Sequence, residues 1–363
     1  MTSKPVLYLT GGGTGGHLFP GIALARRWGE LHPETDIVFV GSERSGEKRI
    51  LAENGCTHVG LAAESSSTLR RNPVRFAWRN TRALIQARNL LKSRKCQGIV
   101  GLGGYASAPI LIAASWLGLP YLMLEQNGVP GRANLALSKK AKVVCCAFEE
   151  AVSLFPVGTN CKITGTPVRP EIAGLSKQQA AVGNERRLLV LGGSLGAVAV
   201  NRLMTETAGR LPELREWQIV HQTGEQDCAR VEEAYRSIQQ TAFVTPFITD
   251  IASEYRRAAC AVARAGGVTL SEMSCAGIPA LLVPLPTAAD NHQMANARHF
   301  ESRGAAVIVE QKHPVESGID EFTAELSQLL TEERRHEMRV KMLATARAGA
   351  TDLVIAEMER WFR

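Results

Sequence analysis

The stretch Val6-Leu7-Tyr8-Leu9-Thr10-Gly11-Gly12-Gly13-Thr14-Gly15-Gly16-His17 decides the fold, because it runs a buried-strand pattern straight into a glycine-rich turn. A short apolar run bounded by glycines reads as a strand covered on both faces, the habit of parallel sheets. Glycines at a strand-to-helix turn let the backbone approach a ligand closely and leave amide N–H groups pointing outward. With the helix dipole they make a site for a phosphate or diphosphate. The design recurs in Arg187–Leu191, which leads into Gly192-Gly193-Ser194-Leu195-Gly196-Ala197. A second glycine pair follows an apolar run late in each half: Gly103-Gly104 before Tyr105-Ala106-Ser107, and Gly266-Gly267 before Val268-Thr269.

Outward from these turns, short apolar runs alternate with amphipathic ones. Val6–Thr10, Asp36–Val40, Gly98–Gly101, Tyr121–Leu124 and Lys142–Cys146 are expected as strands in the first half. Arg187–Leu191, Trp217–His221, Ala242–Val244, Ala261–Ala263, Ala280–Val283 and Ala306–Val309 are expected in the second. Strands alternating with helices imply an α/β fold of two doubly wound, Rossmann-like domains, with their loop edges facing a central cleft. Gly165, Pro167, Pro170 and Gly174 punctuate the join, so domains of residues 1–165 and 166–349 are expected. Ser176–Glu185 reads as a linker or surface helix. Leu353, Ile355, Met358, Trp361 and Phe362 have helical spacing, so residues 350–363 are expected to form a closing amphipathic helix.

Composition fits a globular chain of this kind. The 363 residues are 45% hydrophobic and 21% charged, and a net charge of +7 favours anionic partners without choosing among them. Residues 1–13 lack the charged and apolar regions of a secretory signal, so none is expected. The longest apolar stretch, Ala108 to Leu124, is broken by Gly118 and Pro120 and reads as a core helix and a strand rather than a membrane span. Eight cysteines form no Cys-x-x-Cys pair and read as reduced thiols. No His/Cys cluster suggests a metal.

Gly11, Gly13 and Gly16 fit G-x-G-x-x-G, and Glu43 after the second strand could serve as the acidic ribose ligand of a dinucleotide site. A nicotinamide-dependent dehydrogenase is therefore a rival reading. Against it stand His17, where a dinucleotide fold buries an apolar residue, and the second glycine loop. So does Arg264-Ala265-Gly266-Gly267-Val268-Thr269-Leu270-Ser271-Glu272, a helix start followed by a carboxylate that could accept bonds from ribose hydroxyls. Asp290-Asn291-His292-Gln293 and Asn296 crowd a loop suited to sugar hydroxyls.

At these motifs the chain resembles the MurG family of GT-B glycosyltransferases. The matching pieces are Gly12–His17 with Pro20-Gly21; Gly103–Ser107; Glu125-Gln126-Asn127; Gly165-Thr166-Pro167-Val168-Arg169; Gly192–Ala197; and Arg264–Glu272 with Ala276-Gly277-Ile278-Pro279. The family often carries Gly-Leu-Arg-Gly where Glu64–Arg71 stands here. The resemblance implies inverting, metal-independent transfer of GlcNAc from UDP-GlcNAc to the C4 hydroxyl of MurNAc in lipid I, giving lipid II, at the cytoplasmic face of the inner membrane. No cofactor is implied. Family donor contacts fall on Thr14, Gly15, Gly16, Asn127, Arg169, Ser194, Ile248 (at the uracil), Gly267, Val268, Thr269, Leu270, Ser271, Glu272 (at the ribose) and Gln293. Other readings stay open: a glycolipid glycosyltransferase, a UDP-GlcNAc 2-epimerase, or a UDP-sugar sensor without enzymatic activity.

Inversion needs a base for the acceptor hydroxyl and a stabilised leaving diphosphate. His17 is the candidate base, with Glu125 as runner-up or as the group that orients it; Arg169 and the helix starts would meet the diphosphate. The sequence has no Asp-x-Asp to hold a metal. Between Arg70 and Lys95 lie nine Lys or Arg and no acid. On a helical wheel Phe76, Ala83, Leu84, Ala87, Leu90 and Leu91 share one face. Trp78 and Ile85 lie opposite, beside Arg75, Arg82, Arg88 and Lys92, as suits an anionic membrane surface. No nucleic-acid-binding motif accompanies the charge, and no such partner is expected.

Overall fold

The computed structural model describes residues 4–12, 15–177, 185–193 and 196–362. Contacts divide the chain into two units, Met1–Arg169 with Gly349–Arg363, and Pro170–Ala348. The first holds seven strands: β1 Val6–Gly11, β2 Asp36–Ser42, β3 Thr57–Leu61, β4 Cys96–Gly103, β5 Tyr121–Glu125, β6 Val143–Cys146 and β7 Cys161–Ile163. They form one sheet in the order β3-β2-β1-β4-β5-β6-β7. The second unit holds β8 Arg187–Leu191, β9 Gln218–Gln222, β10 Ala242–Thr245, β11 Cys260–Ala263, β12 Ala280–Leu282 and β13 Ala306–Ile308, ordered β10-β9-β8-β11-β12-β13. Every pairing is parallel.

Both orders reverse direction at one place, between β1 and β4 and between β8 and β11. Loops at the carboxyl ends of strands flanking such a switch point are where open α/β sheets bind ligands. The four glycine pairs of the sequence follow these four strands and no others. Two strands escaped the sequence pattern, β3 and β7. Both are sheet edges: β3 keeps only Leu61 buried and β7 is half-buried throughout, so neither carries a continuous apolar run. Trp217–His221 is shifted by one residue to Gln218–Gln222. Residues 178–184 of the expected linker lie outside the described residues.

In the first unit, strand alternation splits the core into two layers. Val6, Tyr8, Val38, Val40, Ile99 and Tyr121 pack on one face with Ala83, Ala87 and Leu91. Leu7, Leu9, Phe39, Val100 and Leu122 pack on the other with Leu18, Ile22 and Trp28. The apolar stretch from Ala108 divides as its breakers dictate: helix Ala108–Leu117 ends on Gly118 at φ +69°, and β5 follows. No described helix is long and apolar enough to cross a membrane. All eight cysteines are free thiols, and burial pushes that of Cys145 up to about 12.

The closing helix, Ala350–Trp361, belongs to the first unit. Val354, Ile355, Met358 and Phe362 complete the Leu7/Leu9 layer. Gly98 of β4 makes room for Phe362: a Cβ there would lie 2.2 Å from Cγ of that ring. Arg27 reaches Asp352 at 2.9 Å, His32 reaches Glu359 at 3.2 Å, and Lys162 pairs with Glu357. The first two pairs are solvent-exposed and contribute little, so apolar burial holds the helix. Phe362→Ala should destabilise the first unit by about 3 kcal/mol, whereas Leu353→Ala, at an exposed position of the same helix, should change stability by less than about 0.5 kcal/mol. Denaturant unfolding followed by tryptophan fluorescence checks both; equal effects would show that Phe362 does not anchor the helix.

Candidate functional site

In the first unit the loops after β1, β4 and β5 meet around His17. This residue sits in the first turn of helix Gly15–Leu31, directly after the glycine loop; Gly13 and Thr14 lie outside the described residues. The turn after β4 closes on the ring. Gly103 and Gly104 have φ of +95° and +79°; a Cβ on Gly103 would lie 3.1 Å from His17 Nδ1, and one on Gly104 would lie 2.4 Å from the Gly12 carbonyl oxygen. No residue with a side chain fits such a turn. The Oε1 of Gln126 lies 2.9 Å from His17 Nδ1, and Gln126 Nε2 donates to the Leu102 carbonyl at 2.8 Å.

Glu125 does something other than expected. Its Oε1 accepts from the Asn127 backbone N–H at 3.0 Å and from Asn127 Nδ2 at 3.3 Å; its Oε2 accepts from the Gly131 N–H at 2.9 Å and Asn134 Nδ2 at 2.8 Å. The carboxylate is 3% exposed. Burial pushes its pKa up, against the pull of the Gly131, Asn134 and Asn127 hydrogen bonds. Both oxygens are committed to closing the loop that carries Asn127. Neighbours at a strand end point to opposite sides, so Gln126, not Glu125, is the residue on His17. Arg169 stacks its guanidinium 4.6 Å over the ring of Phe19, on the His17 helix. Glu43, the dinucleotide-type acid of the rival reading, is paired with Arg79 at 2.9 Å.

In the second unit the loop after β8 is equally constrained. Gly193 and Gly196 have φ of +81° and +77°, and a Cβ on Gly196 would lie 2.1 Å from the Thr223 carbonyl oxygen. Gln222 Nε2 donates to the Gly193 carbonyl at 3.1 Å, and Asn201 Nδ2 to that of Thr223 at 3.1 Å. Ser194 lies outside the described residues. Beneath this loop Asn201 Nδ2 also donates to Asp227, which leaves its Oδ1 to accept from His221 Nε2 at 3.1 Å. His221 Nδ1 then accepts from the Tyr235 hydroxyl at 2.9 Å. Burial holds the His221 pKa down at about 3, so the ring is a neutral structural link.

Helix Gly267–Ala276 starts without a side-chain cap. The Leu270 N–H is already bonded to the Gly266 carbonyl at 3.0 Å and its side chain is fully buried, so Leu270 offers nothing to a ligand. The amides of Gly267, Val268 and Thr269 are those a helix start leaves for an anion. Ser271 turns its hydroxyl onto the Gly267 carbonyl at 2.8 Å. Glu272 is buried in the second turn and accepts from the Tyr255 hydroxyl at 3.2 Å. Gln293 accepts from the Leu285 N–H at 2.9 Å, and Ile248 follows β10.

Sequence reasoning missed Arg264 as a support. Its guanidinium, 9% exposed, donates to the carbonyls of Val283 and Pro284 and to Gln311 Oε1, at 2.8, 3.2 and 2.7 Å. It thereby ties the ends of β11, β12 and β13, and burial lowers its pKa to about 10. Asn201, His221, Gln126 and Asn134 were also missed. Their common signal is a polar side chain inside or at the end of an apolar run. Among the described residues no His, Cys, Asp and Glu side chains gather in a metal-holding group.

Of the residues expected at the membrane, Trp78 and Ile85 are 60% and 56% exposed on helix Pro73–Ser93, whose opposite face buries Ala83, Ala87 and Leu91. The Arg82 guanidinium lies 5.7 Å over the Trp78 ring. Arg75 is turned away to Glu64 at 3.0 Å, so its charge is largely neutralised.

Comparison with known proteins agrees with this fold. The glycosyltransferase family 28 N-terminal domain matches residues 7–146, and the family 28 C-terminal domain matches residues 187–353. A protein of Pseudomonas savastanoi pv. phaseolicola named UDP-N-acetylglucosamine–N-acetylmuramyl-(pentapeptide) pyrophosphoryl-undecaprenol N-acetylglucosamine transferase is 37% identical over 350 residues, 95% of each chain. A Myxococcus xanthus protein of the same name is 37% identical over 343 residues, 92% of this chain and 86% of that one. The crystal structure of Acinetobacter baumannii MurG has a TM-score of 0.76 at 29% identity, covering 98% of this chain and 99% of that one. A UDP-GlcNAc 2-epimerase from Neisseria meningitidis shares the fold alone, with a TM-score of 0.66 at 13% identity. Two Rossmann-like units make this a GT-B fold, and the chain belongs to glycosyltransferase family 28, among the UDP-N-acetylglucosamine–N-acetylmuramyl-(pentapeptide) pyrophosphoryl-undecaprenol N-acetylglucosamine transferases.

Proposed function

We propose that this chain transfers GlcNAc from UDP-GlcNAc, with inversion, to the C4 hydroxyl of MurNAc in lipid I, releasing UDP and forming lipid II. The observation that carries it is the near full-length likeness, at more than a third identity, to transferases bearing that name. His17 takes the proton of the acceptor hydroxyl as its oxygen attacks the anomeric carbon. The bond from that carbon to the diphosphate breaks, and the electron pair leaves with UDP. Developing charge falls on helix-start amides, at Gly15 and Gly16 and at Gly267–Thr269, and on Arg169. Thr14 and Ser194 are proposed to join them. Glu272 takes the ribose hydroxyls, Ile248 the uracil, and Asn127, Ser271 and Gln293 the sugar side of the donor. Glu125 contributes by closing the loop that presents Asn127.

Labelled UDP-GlcNAc with a short-chain lipid I analogue, in EDTA, should give a β-linked disaccharide. Turnover lost to EDTA and restored by magnesium or manganese would overturn the assignment of leaving-group charge to amides and arginine. His17→Ala should lower kcat by about a hundredfold or more with UDP affinity nearly unchanged, as read by single-turnover kinetics and calorimetry; near-normal turnover would remove His17 from the reaction.

The enzyme is further proposed to act as a peripheral protein at the cytoplasmic face of the inner membrane, docking through Trp78, Ile85 and Arg82. An aromatic and an aliphatic tip beside Arg82, which has no ion pair among the described residues, suit a headgroup interface, and each basic group near anionic lipid adds about 1 kcal/mol. The Trp78→Ala, Ile85→Ala, Arg82→Glu variant should co-sediment with phosphatidylglycerol vesicles much less than wild type, and Arg75→Glu should matter less because Glu64 already neutralises that arginine. Equal binding by wild type and the triple variant would rule the surface out.

A further inference from the structure

We propose that Gln126 is the positioning residue that makes His17 a base, by holding its imidazole as the tautomer protonated on Nδ1. This rests on the assignment of His17 to the acceptor proton. The hydrogen bonds leave one arrangement. Gln126 is 3% exposed, and its side-chain nitrogen faces the Leu102 carbonyl at 2.8 Å, which can only accept. The other end of the amide, presented to His17 at 2.9 Å, is therefore its oxygen, which also can only accept. The hydrogen between them must belong to Nδ1. A neutral imidazole has one N–H, so Nε2 carries the lone pair, and among the described residues nothing hydrogen-bonds to it.

The same turn holds the amide and walls the ring. Leu102 supplies the carbonyl that orients Gln126. Gly103 and Gly104 face the ring, and a Cβ added to either would stand 3.1 to 3.3 Å from Nδ1, Cε1 or Cδ2. The ring cannot flip without losing its bond to a Gln126 amide that Leu102 holds in place. After Nε2 takes a proton both ring nitrogens are donors, and the Gln126 oxygen still accepts from Nδ1, so no rearrangement separates the base from its conjugate acid.

A neutral amide also differs from the carboxylate that orients many catalytic histidines, since it adds no charge to stabilise imidazolium. Glu125, the adjacent residue, has both oxygens consumed by Asn127, Gly131 and Asn134. Glu47 lies against Gly12, and its oxygens take the Ser42 N–H and hydroxyl at 2.8 and 2.7 Å. Neither acid bonds to the ring.

The test uses full-length enzyme labelled with nitrogen-15 in histidine, the His17 signals being assigned by their loss in His17→Ala. At neutral pH Nδ1 should show the shift of a protonated ring nitrogen and Nε2 that of an unprotonated one. The reverse pattern would overturn the proposal whatever the activity shows, and needs no Gln126 variant to fold. Gln126→Met should lower kcat by about tenfold or more, leave the donor KM within about twofold, and mix the two tautomers. Gln126→Glu should move the acid limb of the kcat–pH profile upward by roughly one unit. A Gln126→Met variant with wild-type kcat, or with unchanged tautomer and a raised donor KM, would also overturn it. Should His17→Ala keep its turnover while the wild-type shifts come out as expected, the base assignment fails and the tautomer assignment survives.

Discussion

A side chain at residue 104 would overlap the carbonyl oxygen of Gly12, and the site of the first unit depends on there being none. The turns after β1 and β4 approach within backbone contact, and that approach puts the His17 ring against Gly103 and within reach of Gln126. The constraint is steric and local. Only a glycine adopts the positive φ of residues 103 and 104 and vacates the space at once. The β-sheet order supplies the rest, because β1 and β4 are the neighbours at which the winding reverses and their outgoing loops diverge to open a crevice.

The second unit solves the same problem with heavier support. Its loop after β8 is pinned on the far side by a buried hydrogen-bond chain running from Tyr235 through His221 and Asn201 to Asp227. Arg264 ties three strand ends together through carbonyl oxygens. Each group would be costly to bury alone; linked by hydrogen bonds, they form rigid networks. Backbone amides that are to meet an anion gain from such rigidity, because they stabilise charge best when they need not reorient as it appears.

Charge on the first unit is distributed by a different rule. The basic run from Arg70 to Lys95 reads as one stripe in sequence, yet folding divides it. Arg75 and Arg79 turn to Glu64 and Glu43, while Arg82 stays with the exposed Trp78. The paired part braces a helix against its neighbours, and Arg82 keeps its guanidinium over an exposed indole ring.

The sequence by itself determined the fold class, the two Rossmann-like halves and the four glycine turns, because buried parallel strands demand continuous apolar runs and positive-φ turns demand glycine. It pointed to His17, whose place after a glycine loop needs no tertiary information. Edge strands β3 and β7 escaped it, since a half-exposed strand need not be apolar. Which neighbour orients His17 was decided only by the tertiary structure. Glu125 and Gln126 are adjacent in the chain and equally polar, and the carboxylate is the more usual partner of an imidazole. The pleat at the end of β5 sends them to opposite sides, giving the acid to its own loop and the amide to the ring. Leu270 shows the same limit: motif position includes it, but helix geometry turns its side chain into the core and commits its N–H to Gly266. Distances across sheet and helix, which sequence spacing does not contain, separate the residues that can meet a ligand from those that hold them in place.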